Sequence, residues 1–268
     1  MSRHDTHFVG SIPAVYDELL GPLMFAPYAE DLAERTRRVG AKTVLEVAAG
    51  TGVVTRALAK ALPPATRIVA TDLNEAMLGV AQGRPLANVT WRHADAQRLP
   101  FADGEFDAVV CQFGYMFVPD KPAAYREARR TLAPGGHLLF NMWGPLERNE
   151  VTLLVGESVA RSFPDDPPRF FERTPFAYHD GAKIRGELER AGFEAIEVEA
   201  VEKVTQAESA EQTARGLCLG TPLRNEIEAR SPARLDEVTA AAVSALEARF
   251  GSGRFENRMC AIVVSARR

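Results

Sequence analysis

The sequence predicts an open, doubly wound α/β fold around a seven-stranded, mostly parallel sheet. Three observations carry that prediction. Short β-branched or aromatic runs alternate with helix patterns from Thr43 to Gly144. The segment T-V-L-E-V-A-A-G-T-G-V-V-T at 43–55 reads as a buried strand, a glycine turn and a helix start. There Gly50 and Gly52 allow backbone angles that a side chain forbids, and they let a ligand lie against bare peptide. A second strand ends in A-T-D at 70–72, which puts Asp72 20 residues after Gly52. Folds of this class place a carboxylate for ribose hydroxyls at that interval.

A helical stretch at 14–39 precedes the first strand. It carries Tyr16, Phe25 and Tyr28, is interrupted by Gly21-Pro22 and Pro27, and is more aromatic than a simple outer helix requires. Strands are expected at 43–48, 67–71, 88–92, 106–111 and 137–143, and helices at 53–62, 75–82 and 121–132. Asn74 is the expected N-cap of the second helix. Pro134-Gly135-Gly136 is expected to stop the third and turn the chain into the fifth strand. This β-α-β order implies parallel strands joined by right-handed crossovers.

After Gly144 the rhythm changes. A helix is expected at 149–162, and another from Asp180 to Ala191, stopped by Gly192. The run at 194–204 alternates apolar with acidic residues, as on a sheet edge with one wet face. Residues 207–250 read as helical, with Ser209 and Gln212 fitting a capping box and Ser231-Pro232 a second start. Leu235, Val238, Ala242, Leu246 and Phe250 form an apolar stripe. The run Met259–Ser265 is a buried last strand. The expected organisation is one domain, 1–268. It has an N-terminal helical lid (1–42), a cofactor-binding core (43–144), helical cap insertions (145–179 and 207–250), and a C-terminal part of the core (180–206 and 251–268).

Bulk properties narrow the function. The chain has 268 residues, 46% of them hydrophobic, and a net charge of −4. Its length and hydrophobic content allow a sizeable core, and its charge lacks the basic footprint of a nucleic-acid binder. Three widely spaced cysteines, Cys111, Cys218 and Cys260, fit neither a disulfide framework nor a metal site and suit a cytoplasmic protein. The N-terminal M-S-R-H-D-T-H-F has no apolar signal core, and no run is long and apolar enough to span a membrane. The sequence leaves a homodimer open.

The turn argues for an adenosine-containing ligand but against two common ones. Gly50-x-Gly52 is followed by Thr55 where a nicotinamide fingerprint needs its third glycine, and no phosphate-loop motif occurs. Five segments in order instead resemble class I S-adenosylmethionine-dependent methyltransferases: Glu46–Gly52, Asp72-Leu73-Asn74 with Met77, Asp95-Ala96, Phe106-Asp107, and Leu132–Gly136. Gln112-Phe113-Gly114 and Val118-x-Asp120-Lys121 are most similar to the small-molecule branch near the ubiquinone/menaquinone-biosynthesis methyltransferases. One departure is Ala48, where many relatives carry glycine. The resemblance implies a Rossmann-like fold with an antiparallel last strand, and S-adenosylmethionine as cofactor.

It also implies roles. Ala48, Gly50 and Thr51 would let the backbone approach the methionine moiety and ribose, and Glu46 would orient the ammonium end. Asp72 would take the ribose hydroxyls. Leu73 and Met77 would contact the adenine faces, and Asp95 and the Ala96 N–H would meet its edge. Gln112 would stand near the methionine portion, with Tyr16 covering the sulfonium. Methyl transfer from a sulfonium needs no acid for its leaving group, and no metal is expected. His179 and Tyr115 are the candidates for a base, and Tyr115 and Trp143 for shaping a substrate pocket. The expected activity is methylation of an O, C or N nucleophile of a small molecule. A non-catalytic S-adenosylmethionine-binding regulator and a protein or RNA methyltransferase are the alternatives.

Overall fold

The computed structural model describes residues 5–268; Met1–His4, including one of the five histidines, lie outside the described residues. Seven strands form one sheet in the order β3-β2-β1-β4-β5-β7-β6. They are β1 Thr43–Val47, β2 Arg67–Asp72, β3 Val89–His93, β4 Phe106–Gln112, β5 Leu132–Trp143, β6 Glu194–Ala207 and β7 Phe255–Arg267. β1 to β5 pair in parallel, and β7 runs antiparallel to both β5 and β6. The chain therefore winds outward from β1 to β3 and crosses back to β4. That reversal opens a crevice at the carboxyl ends of β1 and β4.

The first helical stretch divides into α1 (Ile12–Val15), a π-helical stretch (Tyr16–Phe25) and α2 (Ala26–Arg38). Pro22, inside the stretch, has no N–H for an ordinary ladder bond, which accounts for a local departure from α geometry. The connecting helices are α3 (Val53–Ala61), α4 (Glu75–Gln82) and α5 (Lys121–Thr131). Asn74 caps α4 by accepting the Met77 N–H at 3.1 Å. After β5 come α6 (Glu150–Arg161) and α7 (Phe170–Arg173). α8 (Gly181–Arg190) follows, and then α9 (Ala210–Leu219), α10 (Leu223–Arg230) and α11 (Leu235–Phe250). Asp180 caps α8 and Ser209 caps α9.

Both faces of the sheet are covered. Alternate residues such as Val44, Ile68, Val110 and Leu139 pack on α2 and α3. Leu45, Val109, Phe140 and Met142 pack into the larger cluster that includes residues of the helices after β5. Buried on both sides, the central strands are apolar runs rather than alternating ones. β6 is an edge and keeps its wet face, as its alternation predicts.

β6 and β7 run longer than expected, to Ala207 and from Phe255, and the largest boundary difference is at β5. Pro134-Gly135-Gly136 does not separate α5 from a strand starting at His137. β5 begins at Leu132, and the pairing with β4 shifts register between Phe106 and Ala108. Gly135, with φ +78°, absorbs the extra residues as a bulge rather than a free turn.

Candidate functional site

A cavity of about 360 Å³ lies in the crevice. Each strand end contributes to it through a local device. β1 runs into Ala48, Ala49 and Gly50. Ala48 and Gly50 both adopt left-handed backbone, φ 55° and 56°, and the N–H of Ala49 bonds the Thr71 carbonyl at 2.9 Å. β2 ends in Asp72, whose two oxygens accept the Gly50 N–H and the Asn74 N–H, each at 2.7 Å. One carboxylate thus ties the glycine turn to the start of α4. Burial lifts its carboxyl above the ordinary aspartate range, and the Asn74 and Gly50 N–H groups oppose the shift.

Nine of the residues singled out from the sequence line this cavity. Tyr16, Ala48, Gly50 and Gln112 surround one end, and Asp72, Leu73 and Met77 form a middle wall. Asp95 and Ala96 close the far end. Leu73 is among the few exposed large hydrophobic side chains of the described residues, 57% accessible, an unpaired apolar face beside a polar site. Asp95 accepts the Gln97 N–H at 2.8 Å, so its carboxylate also shapes the turn after β3.

Glu46 and Thr51 line a smaller, adjoining cavity of about 30 Å³, together with Tyr16, Gly50 and Gln112. Glu46 is only 1% exposed, and burial pushes its carboxyl up to about 8. The Glu46 Oε2 and the Thr51 and Thr55 hydroxyls are buried without hydrogen-bond partners, although Thr55 is near enough to hold the Glu46 shift down. Buried polar atoms are rarely left unpaired. Glu46 and Thr51 both line the cavity, and two such atoms fit a ligand that brings its own donors, as a methionine ammonium group does.

A third cavity, about 60 Å³, opens on the other side of Tyr16. It shares Phe8, Tyr16, Phe113 and Phe117 with the large one. Its walls are aromatic. Phe113 and Trp143 stack at 3.9 Å with an interplanar angle of 10°, and Phe176 stacks on the other side of Trp143 at 5.7 Å. Tyr16 stacks on Phe25 at 4.6 Å.

Phe113 has φ 50°, a rare conformation for a bulky residue. Asn141 holds it there: the buried Asn141 Oδ1 accepts the Phe113 N–H at 3.1 Å, and its Nδ2 faces Gln112 Oε1 at 3.3 Å. Gln112 Nε2 in turn donates to the Phe25 carbonyl of the π-helical stretch at 3.1 Å. The same stretch is tied to the glycine turn by Arg56, which bonds the Thr51 carbonyl at 2.8 Å and the buried Asp17 carboxylate at 3.1 Å. Asn74 Nδ2 also reaches the Phe8 carbonyl at 3.1 Å.

Two sequence candidates fall elsewhere. Tyr115 is buried in the core against Tyr125 and Phe140, with its hydroxyl unpartnered, and lines none of the three cavities. The left-handed turn at Phe113 gives the wall position to Phe113 and sends Tyr115 inward. His179 Nδ1 is engaged by the Phe176 carbonyl at 2.7 Å, and His179 also lines none of them. Trp143 does line the aromatic chamber. Asn141, Phe8 and Phe113 were not singled out as site residues. Asn141 left a signal, as the one polar residue in the apolar run L-L-F-N-M-W; Phe8 left none.

Gly114 completes the cradle. A Cβ there would stand 2.5 Å from Ala48 Cβ and 2.6 Å from Cys111 Sγ. Gly114→Ala is therefore expected to part β4 from the β1 turn. The expected loss is on the order of 2 kcal/mol of stability, typical of overpacking, with donor binding weakened about tenfold. Thermal melts and calorimetric titration check both, and an unchanged affinity would show that the turn does not need this close approach.

Residues 44–136 match the methyltransferase-domain family model. The ubiquinone/menaquinone biosynthesis C-methyltransferase UbiE of Burkholderia mallei is 32% identical over 204 residues, covering 69% of this chain and 82% of that protein. The UbiE protein of Burkholderia thailandensis matches to the same extent. Among solved structures, a putative methyltransferase from Bacillus halodurans superposes with a TM-score of 0.56 at 24% identity, covering 88% of this chain and 98% of that one. The YcgJ protein of Bacillus subtilis gives 0.57 at 18% identity, covering 90% and 98%. These last two show the fold. With the glycine turn, the Asp72 clasp and the sheet order already in place, the chain belongs to the class I S-adenosylmethionine-dependent methyltransferases, and within them it is similar to the UbiE C-methyltransferases.

Proposed function

We propose that this enzyme methylates a small molecule held in the aromatic chamber, with S-adenosylmethionine in the large cavity. The observation that carries the reading is the shared wall: the donor cavity and the chamber meet at Phe8, Tyr16, Phe113 and Phe117. A methyl group passed across that wall travels from one cavity into the other.

When bound, the donor would supply a methyl carbon on a sulfonium to the acceptor's electron pair, the C–S pair staying on sulfur and the proton the acceptor loses passing to water. The chain supplies position and dryness. Asp72 takes the ribose hydroxyls. Leu73 and Met77 flank the adenine, and Asp95 and the Ala96 N–H read its edge. Glu46 and Thr51 receive the ammonium end, with Ala48 and Gly50 letting the backbone come close. Gln112 fixes the lid above the methionine portion.

The Tyr16 ring lies beside all three cavities. An aromatic face near a sulfonium stabilises it by roughly 0.5–2 kcal/mol. Burial and the Asp72 and Asp17 charges push the Tyr16 phenol up, so it stays protonated and neutral.

The acidic balance and the narrow chamber support a small acceptor over nucleic acid. Among the described residues no helix is long and apolar enough to cross a membrane. The curated relatives' names place them in quinone biosynthesis as C-methyltransferases, which makes carbon a leading candidate atom alongside oxygen and nitrogen. Light scattering decides between a monomer and the homodimer the sequence leaves open.

The test is incubation with S-adenosylmethionine and a panel of phenols, quinols and amines. Formation of S-adenosylhomocysteine with a methylated acceptor supports the reading. Tight donor binding with no turnover on any acceptor would favour a sensor, and no binding of donor or product would overturn it.

A further inference from the structure

The aromatic chamber is closed as it stands. Pockets that bury a small molecule measure about 300–1,000 Å³. This one is about 60 Å³, so an acceptor enters only when part of its wall moves. Leu20, Trp143, Thr152 and Leu217 sit on β5 or on helical stretches of ten residues or more. Phe170, Phe171, Pro175 and Phe176 come instead from the four-residue α7 and the turn after it. The backbone bonds of that segment close on itself. The Thr174 N–H donates to the Phe170 carbonyl at 3.1 Å, and the Phe176 N–H to the Phe171 carbonyl at 3.0 Å. Among the described residues, its hydrogen bonds to distant parts of the chain leave from Arg173 and Thr174.

Asp5 receives both of them, and it is fully buried. The Thr174 hydroxyl donates to Asp5 Oδ2 at 2.8 Å, and Arg173 Nε to the same oxygen at 3.3 Å. Arg173 Nη2 pairs with Asp5 Oδ1 and with Glu226 of α10. From Asp5 the chain passes over the donor cavity, where Thr6, His7 and Phe8 form part of the lining. Asn74 holds the Phe8 carbonyl at 3.1 Å, and Asn225 of α10 holds the His7 carbonyl at 2.9 Å. One carboxylate thus joins a strap over the donor cavity, residues 5–8, to the loosest wall of the chamber. A buried carboxylate stripped of its guanidinium and hydroxyl partners is strongly disfavoured. When the wall swings out, Asp5 goes with it and the strap lifts. When a ligand pins Thr6, His7 and Phe8, Asp5 and the wall stay in place. Coupling between two sites is reciprocal.

Resting on the methyltransferase reading above, we propose that Asp5 is a positioning residue that ties the chamber wall at 170–176 to the strap over the donor, so that the two cavities open and close as one. Asp5 lines neither cavity. It acts through Phe8 on one side and through Phe171 and Phe176 on the other. A donor held under the strap keeps the wall closed around whatever occupies the chamber, and release of the wall frees the donor's demethylated product.

Hydrogen–deuterium exchange read by mass spectrometry tests this on the full chain, empty and saturated with S-adenosylhomocysteine. The ligand is expected to slow exchange of the amides at 170–176 by at least about fivefold. None of those residues lines the donor cavity, so the effect has to be transmitted. In Asp5→Ala the same amides should exchange faster and at a rate the ligand does not change, while the donor-cavity loop at 72–77 is still protected by it. Asp5→Asn keeps the shape and can still accept the Thr174 hydroxyl, so it should retain part of the response. It also carries the test if the alanine variant does not fold. A wall that ignores the ligand in the parent protein, with 72–77 protected, overturns the proposal alone. An undiminished wall response in Asp5→Ala overturns it too, since the tie then runs elsewhere. If 72–77 is not protected in the parent protein, the ligand does not bind there, and the methyltransferase reading fails first.

Discussion

Glu46→Gln should melt at a higher temperature than the parent protein and yet bind S-adenosylmethionine far more weakly. The stability half follows from proton linkage. The Glu46 carboxyl is pushed up by burial to about 8 from an ordinary 4.5. Between those values the unfolded chain has released its proton while the folded chain retains it, so the unfolded state binds fewer protons and folding weakens as pH rises. The penalty is absent below about 4.5 and complete above about 8. A glutamine never meets it. At neutral pH the gain should be on the order of 2 kcal/mol, or roughly 4–8 °C in Tm. It should shrink toward nothing as the pH is lowered to 5. Melts of both proteins across pH 5–9 measure it, and parallel pH profiles would remove Glu46 from the account.

The binding half has the opposite sign. An ammonium ligand needs the ionised carboxylate, and charge-assisted hydrogen bonds are worth about 1.5–3 kcal/mol, so the glutamine variant should bind the donor about 10–100-fold less tightly. In the parent protein, affinity should rise with pH up to about 8, since each unit below it adds up to about tenfold of deprotonation cost. Calorimetry in buffers of different ionisation heat should show a proton released on binding near pH 7, absent in Glu46→Gln. On the proposed reading, a carboxylate that destabilises the empty protein is kept because it receives the ligand's charge.

Glu46 also shows what the sequence makes legible, its place on β1 before the glycine turn. Its place was legible because periodicity marks a strand, glycines mark a turn, and the acid sits at a fixed distance from both. The same holds for Asp72, Met77 and Asp95, each at a strand end or first helical turn whose position the β-α-β rhythm dictates. Seven strands were legible for the same reason. What was not legible depends on backbone angles that leave no compositional trace. Phe113 and Tyr115 are two residues apart on a segment of aromatics, and only the left-handed angle at Phe113 decides which faces the cavity. The start of β5 hid behind Pro134-Gly135-Gly136, because a bulge and a turn use the same residues. His179 was a candidate by residue type alone, and a carbonyl three residues back engages its ring. Phe8 reaches the site only because Asn74 grips its carbonyl, a long-range contact that no local pattern announces.

Asp72→Ala should have the largest effect of any substitution on donor binding, because in the proposed site Asp72 serves the ligand as well as the loops it ties together. Its oxygens hold the Gly50 and Asn74 N–H groups at 2.7 Å each, so removing the carboxylate leaves two backbone donors without an acceptor. A buried orphan costs about 1–3 kcal/mol. Relief of the buried charge, which keeps the Asp72 carboxyl above its ordinary range, offsets part of that loss. The net destabilisation should be roughly 1–2 kcal/mol. Donor affinity should fall further, by about 100–1,000-fold, as two charge-assisted contacts to ribose hydroxyls go with the loop geometry. Asp72→Asn is nearly as damaging by the same logic: its one carbonyl can serve Gly50 or Asn74, while its NH2 then faces the other donor. A donor analogue lacking both ribose hydroxyls separates the two roles. With that analogue the parent protein and Asp72→Ala should differ by about tenfold or less, the share carried by the loops. If the difference stays at its full size, Asp72 acts on the turn alone, and the ribose is held elsewhere.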